Sequence, residues 1–198
     1  MHEMNDLHRE ASHATEPLSA EERKGLIPAH ITLRSELNAA EQENILEAAA
    51  WVYERKRPLV SEAFCRTLHK RMYGKVWKWA GTYRQTGKNI GVDANQIRLR
   101  LYETLDQFKY WIEHRTFPPD ELAVRFHHAL VFIHPFPNGN GRWSRLMADV
   151  LGAQLKIAPF TWGSGDLRED NEVRRSYIRA LQTADGHDFG PLTIFARS

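Results

Sequence analysis

The sequence predicts an all-α fold, on three observations. Apolar residues recur every three or four positions along most of the chain, the repeat of helices with one buried face. Capping residues and prolines stand at the ends of these runs. Within the main domain residues 81–96, with Gly87, Gly91 and Asn95, depart from that repeat and read as a loop plus a small β-hairpin flap.

In chain order, residues 1–18 are polar and rich in His and Glu, the composition of a flexible segment. His2, His8 and His13 are read as solvated side chains rather than metal ligands. Ser19-Ala20-Glu21-Glu22 has capping-box spacing and predicts a short helix that stops near Ile27-Pro28. Asn38-Ala39-Ala40-Glu41 starts a long helix running to about Arg57, before Pro58. Ser61 caps another that ends around Gly74, and residues 98–115 and 170–184 are helical again. The chain therefore divides into residues 1–37, a flexible N-terminal segment with a short helix, and residues 38–198, the main domain with its preceding helix. No internal repeat or Pro/Gly/Ser-rich linker breaks the latter.

Pro119-Asp120 opens a helix whose apolar residues Leu122, Phe126, Leu130 and Ile133 share one face. Trp143, Met147, Val150 and Leu151 repeat the spacing in a second helix. Between them runs His134-Pro135-Phe136-Pro137-Asn138-Gly139-Asn140-Gly141-Arg142-Trp143-Ser144-Arg145. His134 falls at the exit of the first helix, and Gly139 and Gly141 at the entrance of the second.

That layout suits phosphate. The first N–H groups of a helix have no intrahelical partner and carry the positive end of its dipole. Glycines there let an anion approach the backbone closely. Arg142 and Arg145 can add forked, charge-assisted hydrogen bonds. A histidine beside such a cradle is suited to act as general base for a hydroxyl attacking phosphorus.

Composition adds bounds. The 198 residues, 42% of them hydrophobic, suit one soluble domain with an ordinary core. A net charge of +2, from 27 basic and 25 acidic residues, leaves no nucleic-acid footprint. Cys65 is the sole cysteine, read as a buried apolar residue in a reducing, cytoplasmic setting. No apolar run approaches the roughly 18 residues of a membrane span, and no signal peptide is expected.

The segment from His134 to Arg145 resembles the signature of the Fic (Fic/Doc) family, His-x-Phe-x-(Asp/Glu)-Gly-Asn-Gly-Arg-x-x-Arg, departing from it only at Asn138. Trp79-Ala80-Gly81-Thr82-Tyr83-Arg84 and Lys88-Asn89-Ile90-Gly91-Val92 resemble the segment leading into that family's hairpin flap. Tyr177, Leu181 and Asp188-Phe189-Gly190-Pro191-Leu192 resemble its last helix and tail. The likeness covers roughly residues 60–196, and the subgroup called mobile mystery protein B is the nearest suggested.

The resemblance implies a helical Fic-type domain that moves AMP from ATP to a Tyr, Thr or Ser hydroxyl of a protein, with Mg²⁺ as cofactor. It implies that His134 is the base, that Phe136 packs inward, and that Gly139, Asn140, Gly141 and Arg142 hold the α- and β-phosphates. Arg145 is implied to contact the γ-phosphate and Tyr177 to line the nucleotide pocket, while Lys88, Asn89, Ile90, Gly91 and Val92 dock the target. Asn138 stands where the family carries a metal-binding carboxylate. An asparagine carbonyl is a hard oxygen without charge, so it can ligate Mg²⁺ weakly or serve as a helix cap, and the two roles are compatible.

Glu43-Asn44 fits the end of the family's inhibitory pattern Ser/Thr-x-x-x-Glu-Gly/Asn, whose glutamate pairs with the second motif arginine. Ala39 stands where the hydroxyl belongs, and a solvated helix face explains Glu43 equally. Without internal inhibition, a toxin-like enzyme controlled by a separate antitoxin-like partner is implied. Two alternatives stay open: a Doc-like phosphotransferase, which Gly141 disfavours because Doc-like motifs carry lysine there, and a non-catalytic nucleotide-binding regulator, which Asn138 favours.

Other features have plain readings. The tryptophans at 51, 77, 79, 111, 143 and 162 are core and loop anchors. His127 and His128 lack zinc-site spacing, Gly163-Ser164-Gly165-Asp166 is a turn, and Gly139-Asn140-Gly141-Arg142 lacks the Lys-Ser/Thr of a P-loop.

Overall fold

In the computed structural model, which describes residues 17–165, 167 and 171–198, the chain is all-α. His2, His8, His13 and Asp166 lie outside the described residues. The helices are α1 (Ala20–Arg23), α2 (Arg34–Tyr53), α3 (Glu62–Tyr73), α4 (Ile97–His114), α5 (Pro119–Ile133), α6 (Asn140–Gln154), α7 (Glu172–Asp185) and α8 (Gly190–Arg197). Short 3₁₀ turns occupy Ala94–Gln96 and Trp162–Ser164. No described helix is long and apolar enough to cross a membrane.

Two compact units emerge. One comprises residues up to Arg55 with Cys65–Thr82; the other comprises Lys56–Phe64 with Tyr83–Ser198.

In the first unit, α2 starts four residues earlier than its sequence pattern predicts. The cause is Glu36, whose carboxylate accepts from the N–H groups of Thr32 and Leu33 at 2.9 and 3.1 Å and so satisfies donors ahead of the helix. The helix stops at Tyr53, short of the predicted Arg57. Its buried polar residues are all engaged: Glu41 accepts from Trp77 Nε1 at 2.7 Å, and the Asn44 carboxamide bridges the Arg71 carbonyl and the Lys75 N–H. Trp77 and Trp79 stack at 5.2 Å. Cys65 is fully buried, as expected.

The second unit contains the α5–α6 pair. Ile97, Leu101, Leu105 and Phe108 form the buried face of α4. Leu122, Phe126, Leu130 and Ile133 line α5, and Trp143, Met147, Val150 and Leu151 line α6. Each such side chain contributes on the order of 1.5–3 kcal/mol on burial. Ser61 Oγ accepts from Phe64 N at 3.2 Å, and Asn171 Oδ1 caps α7 by accepting from Arg174 N at 2.8 Å. Arg197 of α8 holds Asp120 at the start of α5 through two hydrogen bonds of 2.7 and 2.9 Å.

The hairpin predicted within 81–96 is not formed. Residues 85–93 are bends and coil without a strand partner among the described residues. A two-stranded ribbon on its own is marginal in water, and here the carbonyls of Thr86 and Val92 accept from Arg84 instead of from a facing strand.

Candidate active site

The site grows from the way α5 ends and α6 begins. His134 terminates α5 in the left-handed conformation (φ 51°, ψ 59°), its N–H donating to the Leu130 carbonyl at 3.1 Å. A non-glycine residue held there is strained. Phe136 then inserts fully into the core, edge-on to Trp143 at 4.9 Å. Asn140 fixes the intervening turn: its Oδ1 accepts from Phe136 N at 2.9 Å and its Nδ2 donates to Phe136 O at 2.8 Å. The Asn140 side chain therefore serves the loop, and only its backbone N–H faces the helix end.

Gly139 occupies the N-cap of α6 at φ 76°, a conformation that favours glycine. The intrahelical ladder begins with Trp143 N donating to Gly139 O at 3.0 Å, so the N–H groups of Asn140 and Gly141 precede it. Asn138 is exposed and is not the helix cap. It lies one residue too early, and its Oδ1 accepts from the Gly139 N–H at 2.8 Å. A Cβ at Gly141 would lie 3.5 Å from Arg145 Nη1, so these two motif residues adjoin.

His134 Nδ1 faces the Val131 carbonyl at 3.3 Å. A carbonyl only accepts, so Nδ1 carries the proton and Nε2 keeps its lone pair. Burial holds the imidazole below its ordinary value, opposed by the Val131 carbonyl and aided by the charges of Arg84 and Lys88. A neutral base at pH 7 follows.

Behind Arg145 lies a polar cluster. Its guanidinium carbon is 5.7 Å from the centre of the Tyr177 ring. Tyr177 is buried, and its hydroxyl meets His127 Nε2 at 2.9 Å. Burial drives His127 well below its ordinary value, helped by Arg145, and raises Tyr177. His127 also packs on Trp162 at 4.6 Å, whose Nε1 donates to Asp149 at 2.9 Å. Among the described residues no three His, Cys, Asp or Glu side chains gather as a metal site.

No sequence pattern singles out Asp149, although it stands four residues after Arg145 on one helix face. Arg84 carries no signal of its own in the sequence beyond its place in Trp79–Arg84, yet it bonds the backbone around His134. Glu43 is exposed on α2 in the first unit, whereas Arg145 belongs to the second.

Residues 59–151 match the model of the Fic/DOC family. Over that stretch the chain resembles Fic/DOC domains. It resembles curated relatives named Protein adenylyltransferase Fic, from Nematostella vectensis at 27% identity over 132 residues and from Drosophila yakuba at 30% over 132 residues. The alignment takes in 65% of this chain in both cases, but 29% and 25% of those proteins, so the chain spans under a third of their length. In structure it resembles Fic-1 from C. elegans, with TM-score 0.64, 22% identity, and 91% of this chain and 54% of that one covered. It also resembles the effector BepC from Bartonella tribocorum, solved with bound AMPPNP, with TM-score 0.63, 17% identity, and 90% and 97% covered. These likenesses establish a helical Fic fold for the domain.

Proposed function

We propose that the chain transfers AMP from ATP to the hydroxyl of a protein Tyr, Thr or Ser. One observation carries the reading: a half-buried, neutral His134 with Nδ1 engaged lies directly before the glycine-built N-terminus of α6. The adenylyltransferase names of the curated relatives, and the AMPPNP held by BepC, support it.

In this reading His134 Nε2 takes the hydroxyl proton as the target oxygen bonds to the α-phosphorus. The bond from the α-phosphorus to the oxygen bridging the β-phosphate breaks, and pyrophosphate leaves. The N–H groups of Asn140 and Gly141 and the Arg142 guanidinium stabilise charge on the α- and β-phosphates. Arg145 takes the γ-phosphate, with the Tyr177 ring behind it.

Mg²⁺ fits this site as a weakly held ion. Asn138 is exposed, and its Oδ1 is a hard oxygen suited to Mg²⁺, but it brings no charge. Asn138 would hold the ion together with nucleotide phosphates, whose charge the ion would neutralise.

Residues 88–92 align the target segment by main-chain pairing, with the exposed Ile90 as a clamp. A cytoplasmic location and control by Glu43 or by an antitoxin-like partner belong to the same reading. Incubation with lysate and with α- or γ-labelled ATP tests it. Protein-bound α label supports AMP transfer; γ label alone shows phosphotransfer, and ATP binding without either label shows a non-catalytic nucleotide-binding protein.

A further inference from the structure

Arg84 lies outside the segment from His134 to Arg145, yet only 3% of its surface is exposed. Its guanidinium is divided between two stretches of backbone. Toward α5, Nε donates to the His134 carbonyl at 2.7 Å and Nη2 to the Ile133 carbonyl at 3.4 Å. Toward the loop, Nη1 donates to the Thr86 carbonyl at 2.9 Å and Nη2 to the Val92 carbonyl. The Arg84 N–H donates to the Pro135 carbonyl at 3.0 Å.

One planar group therefore satisfies carbonyls at the end of α5, where a cation is favoured by the helix dipole. The same group closes residues 86–92 into a loop. Gly91 falls inside that closure, where a Cβ would meet both His134 Cβ at 2.6 Å and Arg84 Nη2 at 2.9 Å. Burying a cation is costly unless its donors are used. Arg84 uses them on backbone, with Asp93 as the charge that favours its ionised form. A lysine ammonium, being a point donor, cannot span both stretches.

We propose that Arg84 is a positioning residue for transfer, holding His134 and the loop of residues 86–92 in one register before the target arrives. This rests on the reading of His134 as the base. Two effects follow that a purely structural side chain would not produce. The charges acting on His134 are those of Arg84 and Lys88, both from the loop side, so removing Arg84's charge moves the His134 titration toward higher pH. Loosening the register lowers kcat while leaving KM for ATP unchanged, because the phosphate cradle is untouched.

The test compares Arg84→Gln and Arg84→Lys in the full chain by imidazole NMR titration, hydrogen exchange at residues 86–92 and transfer kinetics. Arg84→Gln is expected to raise the His134 midpoint, to lose loop protection and to lower kcat by about 10–100-fold, the scale of a misplaced reacting group. Arg84→Lys keeps the charge, so the midpoint stays while kcat and protection fall. A folded Arg84→Gln with midpoint, protection and kcat all as in the wild type overturns the proposal. Should Arg84→Gln fail to fold, wild-type kcat and protection in Arg84→Lys overturn it instead. If the wild-type chain transfers no AMP, the base reading fails by itself, while the titration and exchange still decide whether Arg84 sets His134 and the loop.

Discussion

Gly91 lies directly on His134: a Cβ built on the glycine would come 2.6 Å from His134 Cβ and 3.1 Å from the Ile133 carbonyl. The loop therefore covers the proposed base at contact distance, and its backbone there (φ 99°) is one that L side chains rarely adopt. Gly91→Ala should displace the loop or His134. Strain of this kind costs on the order of 1–3 kcal/mol. We expect a lower Tm and a transfer rate reduced by at least tenfold, with ATP affinity retained, as read by calorimetry and titration. Wild-type rate and Tm would show that the loop yields freely.

Asp149 gives a pH dependence of stability. Burial raises its carboxyl to about 6, against the Trp162 hydrogen bond and the charges of Arg145 and Arg197. Its folded value exceeds its unfolded one, so its contribution is fully present below about pH 3.9 and is lost as pH rises through about 6. Asp149→Asn keeps an acceptor for Trp162 and removes the charge. It should raise Tm more at pH 8 than at pH 5, at about 2–4 °C per kcal/mol for a chain of this size. His127, depressed by burial, destabilises instead as pH falls below about 6.5, but that effect cancels between wild type and variant. Equal Tm changes at both pH values would contradict the assignment.

Helices such as α5 and α6 are legible because their apolar faces repeat without interruption, as Leu122, Phe126, Leu130 and Ile133 show. The start of α2 is not, because Glu36 caps it from inside the helix and Leu33 carries no capping group. Turn residues such as Gly87 and Asn95 mark a loop and a hairpin alike, and the contacts of Arg84 with the Thr86 and Val92 carbonyls have no local signature. At the site, His134, Phe136 and the glycines were legible from spacing. The second role of Asn140 and the cluster of His127, Tyr177 and Asp149 arise from packing across α5, α6 and α7, which no single segment encodes.

Asn138 tests the metal. A carboxylate adds charge to a site that otherwise offers a neutral oxygen. Asn138→Asp should lower the Mg²⁺ concentration giving half-maximal transfer by about tenfold, the effect of ~1.4 kcal/mol. An unchanged Mg²⁺ dependence with a shifted Tm would give Asn138 a structural role at the turn, through bonds such as that from the Gly139 N–H, and no part in holding the metal.

Glu43 tests internal control. If its carboxylate competes with the γ-phosphate for Arg145, Glu43→Gly should raise self-modification or toxicity in cells, and Arg145→Ala should cancel the gain. An exposed ion pair would be worth only about 0–1 kcal/mol, too little to hold the enzyme off. Equal self-modification with and without Glu43 would direct attention to an external inhibitor.

His134→Ala tests directly whether His134 is the base at an intact phosphate cradle. Transfer of α label and nucleotide affinity should be followed side by side in wild type and variant. We predict a fall in transfer of roughly 10²–10⁴-fold, the scale of a lost general base, with ATP affinity within about twofold of wild type. Undiminished transfer in His134→Ala would show that another group takes the hydroxyl proton.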